Sequence, residues 1–288
     1  MGKLIQYRTI ASLYDGQFDS TVGWSAAGMG DIIVSDGGKL IVIDGGFEND
    51  AEDLLALLEA QTEGRNPEVK LWIITHPHID HYGALRAISK DPALLRRVSI
   101  KQIIYQFPME FVGKDGVPGA LKNSIKELEE ICAATGAEPH YPIRDERILV
   151  DETEIHFLYV PDDCSLLNTA GGNANLCSLI FMVKGKNKKA LITGDAYPRT
   201  LLLTAWHYAE ELKCDILQMP HHALCDAYCK ELYGYADPDI ILMPTSIAGY
   251  RAMHDTYANW EGGAINITAE SKAKEVYKSF DGTIILDI

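Results

Sequence analysis

The sequence predicts an α/β fold built from two related halves, and two observations carry that expectation. Short apolar runs with strand character alternate along the chain with amphipathic, helix-like stretches. A strand pair that runs into an aspartate, followed by a strand that runs into histidine, also occurs twice. LIVIDGG and LWIITHPH in the first half are echoed by ALITGDA and DILQMPHH in the second. A third observation places chemistry on this frame: in LWIITHPHIDHYGAL, residues 71–85, an apolar run is followed directly by His76, His78, Asp80 and His81 within six residues.

In chain order, residues 1–24 carry few signals beyond Tyr7, Tyr14, Phe18 and Trp24, which either pack at an edge, the favoured reading, or lie over the site. MGDIIVS and KLIVIDGG read as two strands joined at Asp36-Gly37-Gly38, because Asp-Gly and Gly-Gly tolerate the positive φ of a tight hairpin. Asp44 ends the second strand, and Gly45-Gly46 turn the chain. Glu48 to Glu59 sets Leu54, Leu55, Leu57 and Leu58 on one broad face and reads as an amphipathic helix. A polar loop then leads into LWIITH. Tyr82 to Lys90 continues as a helix, and SIKQIIYQF is a further strand. LKNSIKELEEICAAT reads as a helix with a solvated charged face, ended by Gly136.

One or two strands follow between Ile148 and Val160. Residues 161–175, PDDCSLLNTAGGNAN, are loop-like, and serve either as a specificity loop beside the site or as an ordinary connection. Leu176 to Val183 and Lys189 to Thr193 form the second hairpin, and Arg199 to Leu212 reads as a helix. The chain closes with the strands in DILQMPHH and IILMP, a mixed segment holding Tyr250, Arg251 and His254, a helix from about Ala269 to Ser279, and the strand TIILDI. No Pro-, Ser- or Gly-rich run divides the chain, so a single domain spanning 1–288 is expected.

Composition narrows the class. With 288 residues of which 47% are hydrophobic, the chain can bury a sizeable core. No apolar run approaches the ~20 residues of a membrane span. The start, MGKLIQYRTIASLYDG, lacks the features of a secretory signal, so a soluble, cytoplasmic protein is expected. Cys132, Cys164, Cys177, Cys214, Cys225 and Cys229 contain no CxxC pair and read as reduced thiols, including the i, i+4 pair Cys225 and Cys229. The net charge of -15, from 26 basic and 41 acidic residues, opposes an extended nucleic-acid surface and favours a small-molecule or nucleotide-like substrate.

Imidazole and carboxylate are ligands for zinc, iron or manganese, and an extended HxH sets two imidazoles on one side of the chain. His76 and His78 therefore grip one ion. A helix beginning near Ile79 turns Asp80 and His81 toward a second. THPHIDH resembles the HxHxDH signature of the metallo-beta-lactamase superfamily, and that resemblance implies a four-layer αββα sandwich of two mixed sheets with one or two metals at the edge between them. It implies Asp195, in LITGD, as a bridging ligand, and a last histidine within MPHHA. Of His221 and His222 the family pattern favours His222, and neighbours on extended backbone point opposite ways, so at most one suits a given ion. Asp44 is expected to orient a metal-binding histidine from behind.

Asn175 stands where lactamases, lactonases and thioesterases of the superfamily carry a third histidine. Together GMGDIIV, LIVIDGG, THPHIDH, NANLCSLIF, ALITGD, MPHHA and DGTIIL resemble the metallo-beta-lactamase-like domain of bacterial DNA-uptake proteins and choline-phosphate esterases, over about residues 25–288. Ala223 and Leu224 depart from that pattern, and Tyr250 and His254 match it loosely. The resemblance implies a hydrolase acting on a phosphodiester through a metal-activated hydroxide, with Asp80 orienting the hydroxide and His221 or His254 facing the leaving oxygen. Two divalent ions are expected, zinc foremost, with manganese or iron as alternatives. The rival chemistry is hydrolysis of a thioester, lactone or other acyl bond. A non-catalytic binding module fits less well, because buried carboxylates and imidazoles without a metal are costly.

Overall fold

The computed structural model describes residues 2–19, 25, 27–107, 119–161 and 174–288, so Trp24, Cys164 and most of the loop-like stretch 161–175 lie outside the described residues. Within them the chain forms two seven-stranded sheets. The first contains β1 (Lys3–Gln6), β2 (Gly30–Val34), β3 (Leu40–Asp44), β4 (Glu68–Ile73), β5 (Ser99–Ile104) and β6 (Glu138–His140). The second contains β7 (Arg147–Val150), β8 (Thr153–Tyr159), β9 (Ile180–Lys184), β10 (Lys189–Ile192), β11 (Ile216–Gln218), β12 (Ile240–Met243) and β13 (Glu275–Lys278). The last strand, β14 (Ile284–Asp287), returns to the first sheet, whose order is β14-β1-β2-β3-β4-β5-β6; the second runs β13-β12-β11-β10-β9-β8-β7.

The two sheets share one plan. From β14 through β1 and β2 to β3 neighbours are antiparallel, and from β3 through β4 and β5 to β6 they are parallel. From β7 through β8 and β9 to β10 neighbours are again antiparallel, and from β10 through β11 and β12 to β13 parallel. β3, ending in Asp44, thus has the place of β10, which leads to Asp195. β4, leading to His76, has the place of β11, which leads to His221 and His222. The internal echo in the sequence is an echo of topology.

Strand alternation distributes the core over three interfaces. Leu40 and Val42 of β3 face the helices Ala51–Gln61 and Ile79–Lys90, while Ile41 and Ile43 lie between the sheets with Phe157, Phe181, Val183 and Ile192. On the far side, Leu191 and Leu217 pack with Leu201 and Leu232 of the helices Pro198–Tyr208 and Lys230–Ala236. Burial on both faces is why LIVI and ALI read as continuous apolar runs. The result is the expected helix–sheet–sheet–helix layering. Among the described residues no helix is long and apolar enough to cross a membrane.

The elements differ from the sequence reading in several places, among them the unpredicted short helices Pro92–Leu95, Lys230–Ala236 and Ile247–Arg251. β1 and β6 are too short to give a periodic signal. The predicted helix Arg199 to Leu212 is α-helical over Pro198–Tyr208 and tightens into a 3-10 turn after Ala209, whose φ is 44°. The last helix spans Glu261–Lys272, and EVYK, expected at its end, is β13, parallel to β12. Gly262 and Gly263 concealed its start, yet both are required there. A Cβ on Gly262 would lie 1.7 Å from the Cys225 carbonyl oxygen, and one on Gly263 1.9 Å from that of Tyr257.

Candidate metal centre

The first half of the site is built at the ends of β3 and β4. Asp44 closes β3 with φ 58°, a left-handed conformation that aspartate tolerates better than most residues. Its buried carboxylate accepts from the Thr75 backbone N–H and the Thr75 hydroxyl, each at 2.8 Å, and lies 2.8 Å from His81 Nδ1. Because a carboxylate accepts, Nδ1 carries the proton and Nε2 of His81 presents its lone pair on the opposite side of the ring. His78 precedes the helix Ile79–Lys90, so Asp80 and His81 fall in its first turn, where the helix dipole favours the Asp80 charge. Asp44 thus holds the His81 ring from behind.

The second half repeats the arrangement with different residues. Beyond β10, Gly194 adopts φ 52° and passes so close to β4 that a Cβ would lie 2.9 Å from Thr75 Cβ. The Gln218 carboxamide accepts from the backbone N–H groups of Thr193 and Gly194, both at 2.9 Å, and Ser178 Oγ accepts from that of Asp195 at 3.1 Å. These bonds hold the loop that carries Asp195. His222 Nδ1 donates to the Pro244 carbonyl at 2.7 Å and so turns Nε2 inward.

The six sequence-predicted ligands converge as two sets that share Asp195. Asp80, His81, Asp195 and His222 form one; His76, His78 and Asp195 form the other, and in each the donor atoms lie within 4.8 Å of one another. Asp195 Oδ2 stands 3.6 Å from His76 Nε2, 3.3 Å from His81 Nε2 and 3.4 Å from His222 Nε2. Asp80 Oδ2 is 3.2 Å from His222 Nε2, and His76 Nε2 is 3.0 Å from His78 Nδ1. His81 Nε2, His222 Nε2 and Asp195 Oδ1 are buried without a hydrogen-bond partner. Nitrogen and carboxylate donors left unsatisfied in a buried cluster, with their other faces already anchored, fit a pair of divalent cations.

Electrostatics point the same way. Burial opposes charge on His81, yet Asp195, Asp44 and Asp80 outweigh it and raise its pKa well above the usual imidazole value. His222 is pushed up to about 10 by Asp195 and Asp80 against the same burial. Burial likewise opposes ionisation of Asp195, but His81, His222 and His76 hold it well below the ordinary carboxylate range. His76 goes the other way: burial, reinforced by His81, lowers its pKa well below normal. The clustered carboxylates favour positive charge at the centre.

The structure separates the remaining candidates. His221 is beside the cluster, its Nε2 3.9 Å from Asp195 Oδ2 and 3.2 Å from Asn175 Nδ2, and its Nδ1 2.8 Å from Asp226 Oδ1. The premise of extended backbone at His221-His222 fails: His221, His222 and Ala223 have φ of 47°, 56° and 62°, so both rings turn toward Asp195. His254 bonds Glu270 at 2.8 Å through Nε2 and packs at a tilt against Tyr250, which also donates to Glu270. It is not among the residues gathered around Asp195. Sequence reasoning missed Thr75, Ser178, Gln218 and Asp226; for Thr75 and Gln218 the available signal was a polar residue at the end of a buried strand. Cys132, Cys177, Cys214, Cys225 and Cys229 are free thiols.

Several solved structures share this architecture. The metallo-beta-lactamase fold protein YhfI from Bacillus subtilis is 11% identical, with 99% of each chain covered and a TM-score of 0.56. Zn(2+)-bound PqqB from Methylobacterium extorquens is 10% identical over 100% of each chain, with a TM-score of 0.59. Tm1679, a metal-dependent hydrolase of the beta-lactamase superfamily, is 14% identical over 99% of each chain, with a TM-score of 0.55. At these identities the likeness is one of fold. No curated protein matches the sequence. The family model for the metallo-beta-lactamase superfamily matches residues 31–232, a span that includes all but the first residue of β2, and β3, THPHIDH, Asp195 and His222. On that match, and with its ligand sets assembled between two sheets of the same plan, the chain belongs to the metallo-beta-lactamase superfamily.

Proposed function

We propose that the protein is a metal-dependent hydrolase of a phosphodiester, with two divalent cations, zinc foremost and manganese or iron as alternatives, held by His76, His78, Asp80, His81, Asp195 and His222. The observation that best supports this is the pair of ligand sets sharing one buried carboxylate, an arrangement suited to an in-line displacement in which attacking and leaving oxygens both need charge stabilisation. When bound, such cations acidify water toward neutral pH and withdraw charge from phosphoryl oxygens.

The chain's own residues do the rest. Asp195, common to both ligand sets, would be the shared carboxylate between the two cations. Asp80, at the N-terminus of its helix and 3.2 Å from His222 Nε2, would hold or orient the attacking hydroxide. Asp44 and the Pro244 carbonyl fix the rings of His81 and His222, so little reorganisation accompanies reaction. Asn175, in place of the histidine found in acyl-bond hydrolases of the superfamily, favours the phosphodiester over the acyl reading. Of the two imidazoles expected to face the leaving oxygen, His221 lies beside the centre, while His254 is engaged by Glu270.

The test is hydrolysis of bis(p-nitrophenyl) phosphate by protein loaded separately with zinc and manganese, with Asp195→Ala as control. Turnover lost in the variant supports the proposal. No turnover with either metal overturns it for simple diesters, and thioester and lactone panels then examine the acyl alternative.

A further inference from the structure

We propose that His221 is a ligand to the cation held by His76, His78 and Asp195, and that Asp226 is the residue that fixes it for that task. This rests on the reading of the cluster as a metal centre but not on any substrate. The set at this position has three members against four at the other; His221 Nε2 lies 3.9 Å from Asp195 Oδ2 but outside the 4.8 Å spacing that unites His76, His78 and Asp195, so its ring must swing inward to complete the shell. Donors about 2.1 Å from one ion stand about 3.0–4.2 Å apart, from cis to trans. His76 to His78 at 3.0 Å, His76 to Asp195 at 3.6 Å and His221 to Asp195 at 3.9 Å all fall within that span.

The tautomer agrees. Asp226 Oδ1 is 2.8 Å from His221 Nδ1, and since a carboxylate accepts, Nδ1 carries the hydrogen and Nε2 keeps its lone pair toward the cluster. This is the device by which Asp44 holds His81, repeated at the other position. Tyr197 braces it, packing edge-on to the His221 ring at 5.3 Å and donating to Asp226 Oδ2 at 3.4 Å. The Asn175 amide, 3.2 Å from Nε2, occupies the lone pair that a cation would take. The left-handed run His221 to Ala223 serves the same end. Such conformations cost about 1 kcal/mol or more per non-glycine residue, and here they bring two successive imidazoles to one carboxylate oxygen.

The experiment measures metal content and affinity by chelator competition with Zn2+ alone, and the visible spectrum with Co2+, in wild type, His221→Gly and Asp226→Asn. Glycine is at ease at the φ of 47° found at His221, so the first variant removes the imidazole without straining the turn. Wild type is expected to hold two ions. His221→Gly is expected to retain one tightly and to lose the Co2+ absorption of the other. Asp226→Asn is expected to hold both, one of them weakened about 10- to 100-fold. Two ions at wild-type affinity in His221→Gly would overturn the proposal. Should that variant misfold by circular dichroism, unaltered affinity in Asp226→Asn would overturn it alone. No substrate enters these measurements, so failure of diester hydrolysis leaves their outcome standing.

Discussion

Asp44→Asn is the sharpest probe of how this centre is assembled. Asparagine matches the carboxylate in shape and tolerates the φ of 58°, so the change isolates hydrogen-bond polarity. Asp44 accepts three bonds, two from Thr75 and one from His81, each at 2.8 Å. An amide accepts through only one of its two heads. If the NH2 group faces His81, Nδ1 must become an acceptor, the proton moves to Nε2, and the lone pair needed by a cation is gone. If the NH2 group faces the Thr75 backbone N–H instead, that buried donor is orphaned at about 1–3 kcal/mol. Either route taxes the ion bound by Asp80, His81, Asp195 and His222. Loss of such an orienting partner weakens metal about 10- to 100-fold, or about 1.4–2.8 kcal/mol. Zinc competition with a chromophoric chelator, read as two successive affinities, should show the loss at one site and little change at the other. Two wild-type affinities in Asp44→Asn would refute the idea that this carboxylate sets the His81 tautomer.

Further outcomes follow from the same geometry. In chelated protein His222 is raised from 6.5 to about 10, so its protonation stabilises the fold fully below pH 6.5, and that contribution is lost as pH rises toward 10; metal-loaded protein should lack this decline in thermal unfolding, and parallel curves would count against it. Asp31, buried and beside Asp44, has its carboxyl pushed up to about 8 by burial first and then by that neighbour, so the folded chain keeps a proton that the unfolded chain gives up near 3.8. Stability therefore falls between these values, and Asp31→Asn should flatten that slope; an unchanged slope in urea unfolding contradicts the assignment. Gly194→Ala forces a methyl to 2.9 Å from Thr75 Cβ at a φ of 52° and should cost about 1–3 kcal/mol together with most metal binding, whereas a neutral result would mean the two halves are not in contact there. Gln218→Leu orphans the backbone N–H groups of Thr193 and Gly194, at about 1–3 kcal/mol each, and a wild-type urea midpoint would show that this carboxamide does not hold the Asp195 loop.

Much of this centre is readable because its first ligands are contiguous. His76, His78, Asp80 and His81 stand at the junction of a buried strand and a helix, so spacing alone assigns their directions. The supporting part of Asp44 follows from its place at the end of the neighbouring strand. His221 is different: nothing in MPHHA announces three successive left-handed residues, since none is glycine or asparagine, and the conformation is imposed by tertiary contacts. Gln218 and Thr75 look like ordinary polar residues ending strands, and their bonds form only when the two halves meet. The late helix was misplaced because Gly262-Gly263 carries the signature of a loop, while its physical cause is a close approach of helix backbone to the Cys225 and Tyr257 carbonyls.

The return of β14 to the first sheet bears on the order in which the molecule can be completed. β1 pairs with β2 on one side and with β14 on the other, Lys3 opposite Asp287, and the Ile288 backbone N–H donates to the Gly2 carbonyl. During synthesis the first sheet is therefore begun by residues 3–6 and finished by residues 284–287, with the whole second sheet made in between. Until residues 284–287 leave the ribosome, β1 is an unprotected edge able to pair with another chain. Removing those residues should yield a protein that aggregates through β1 while its metal ligands remain intact, and contacts so distant in sequence make slow final closure of that edge the natural kinetic expectation.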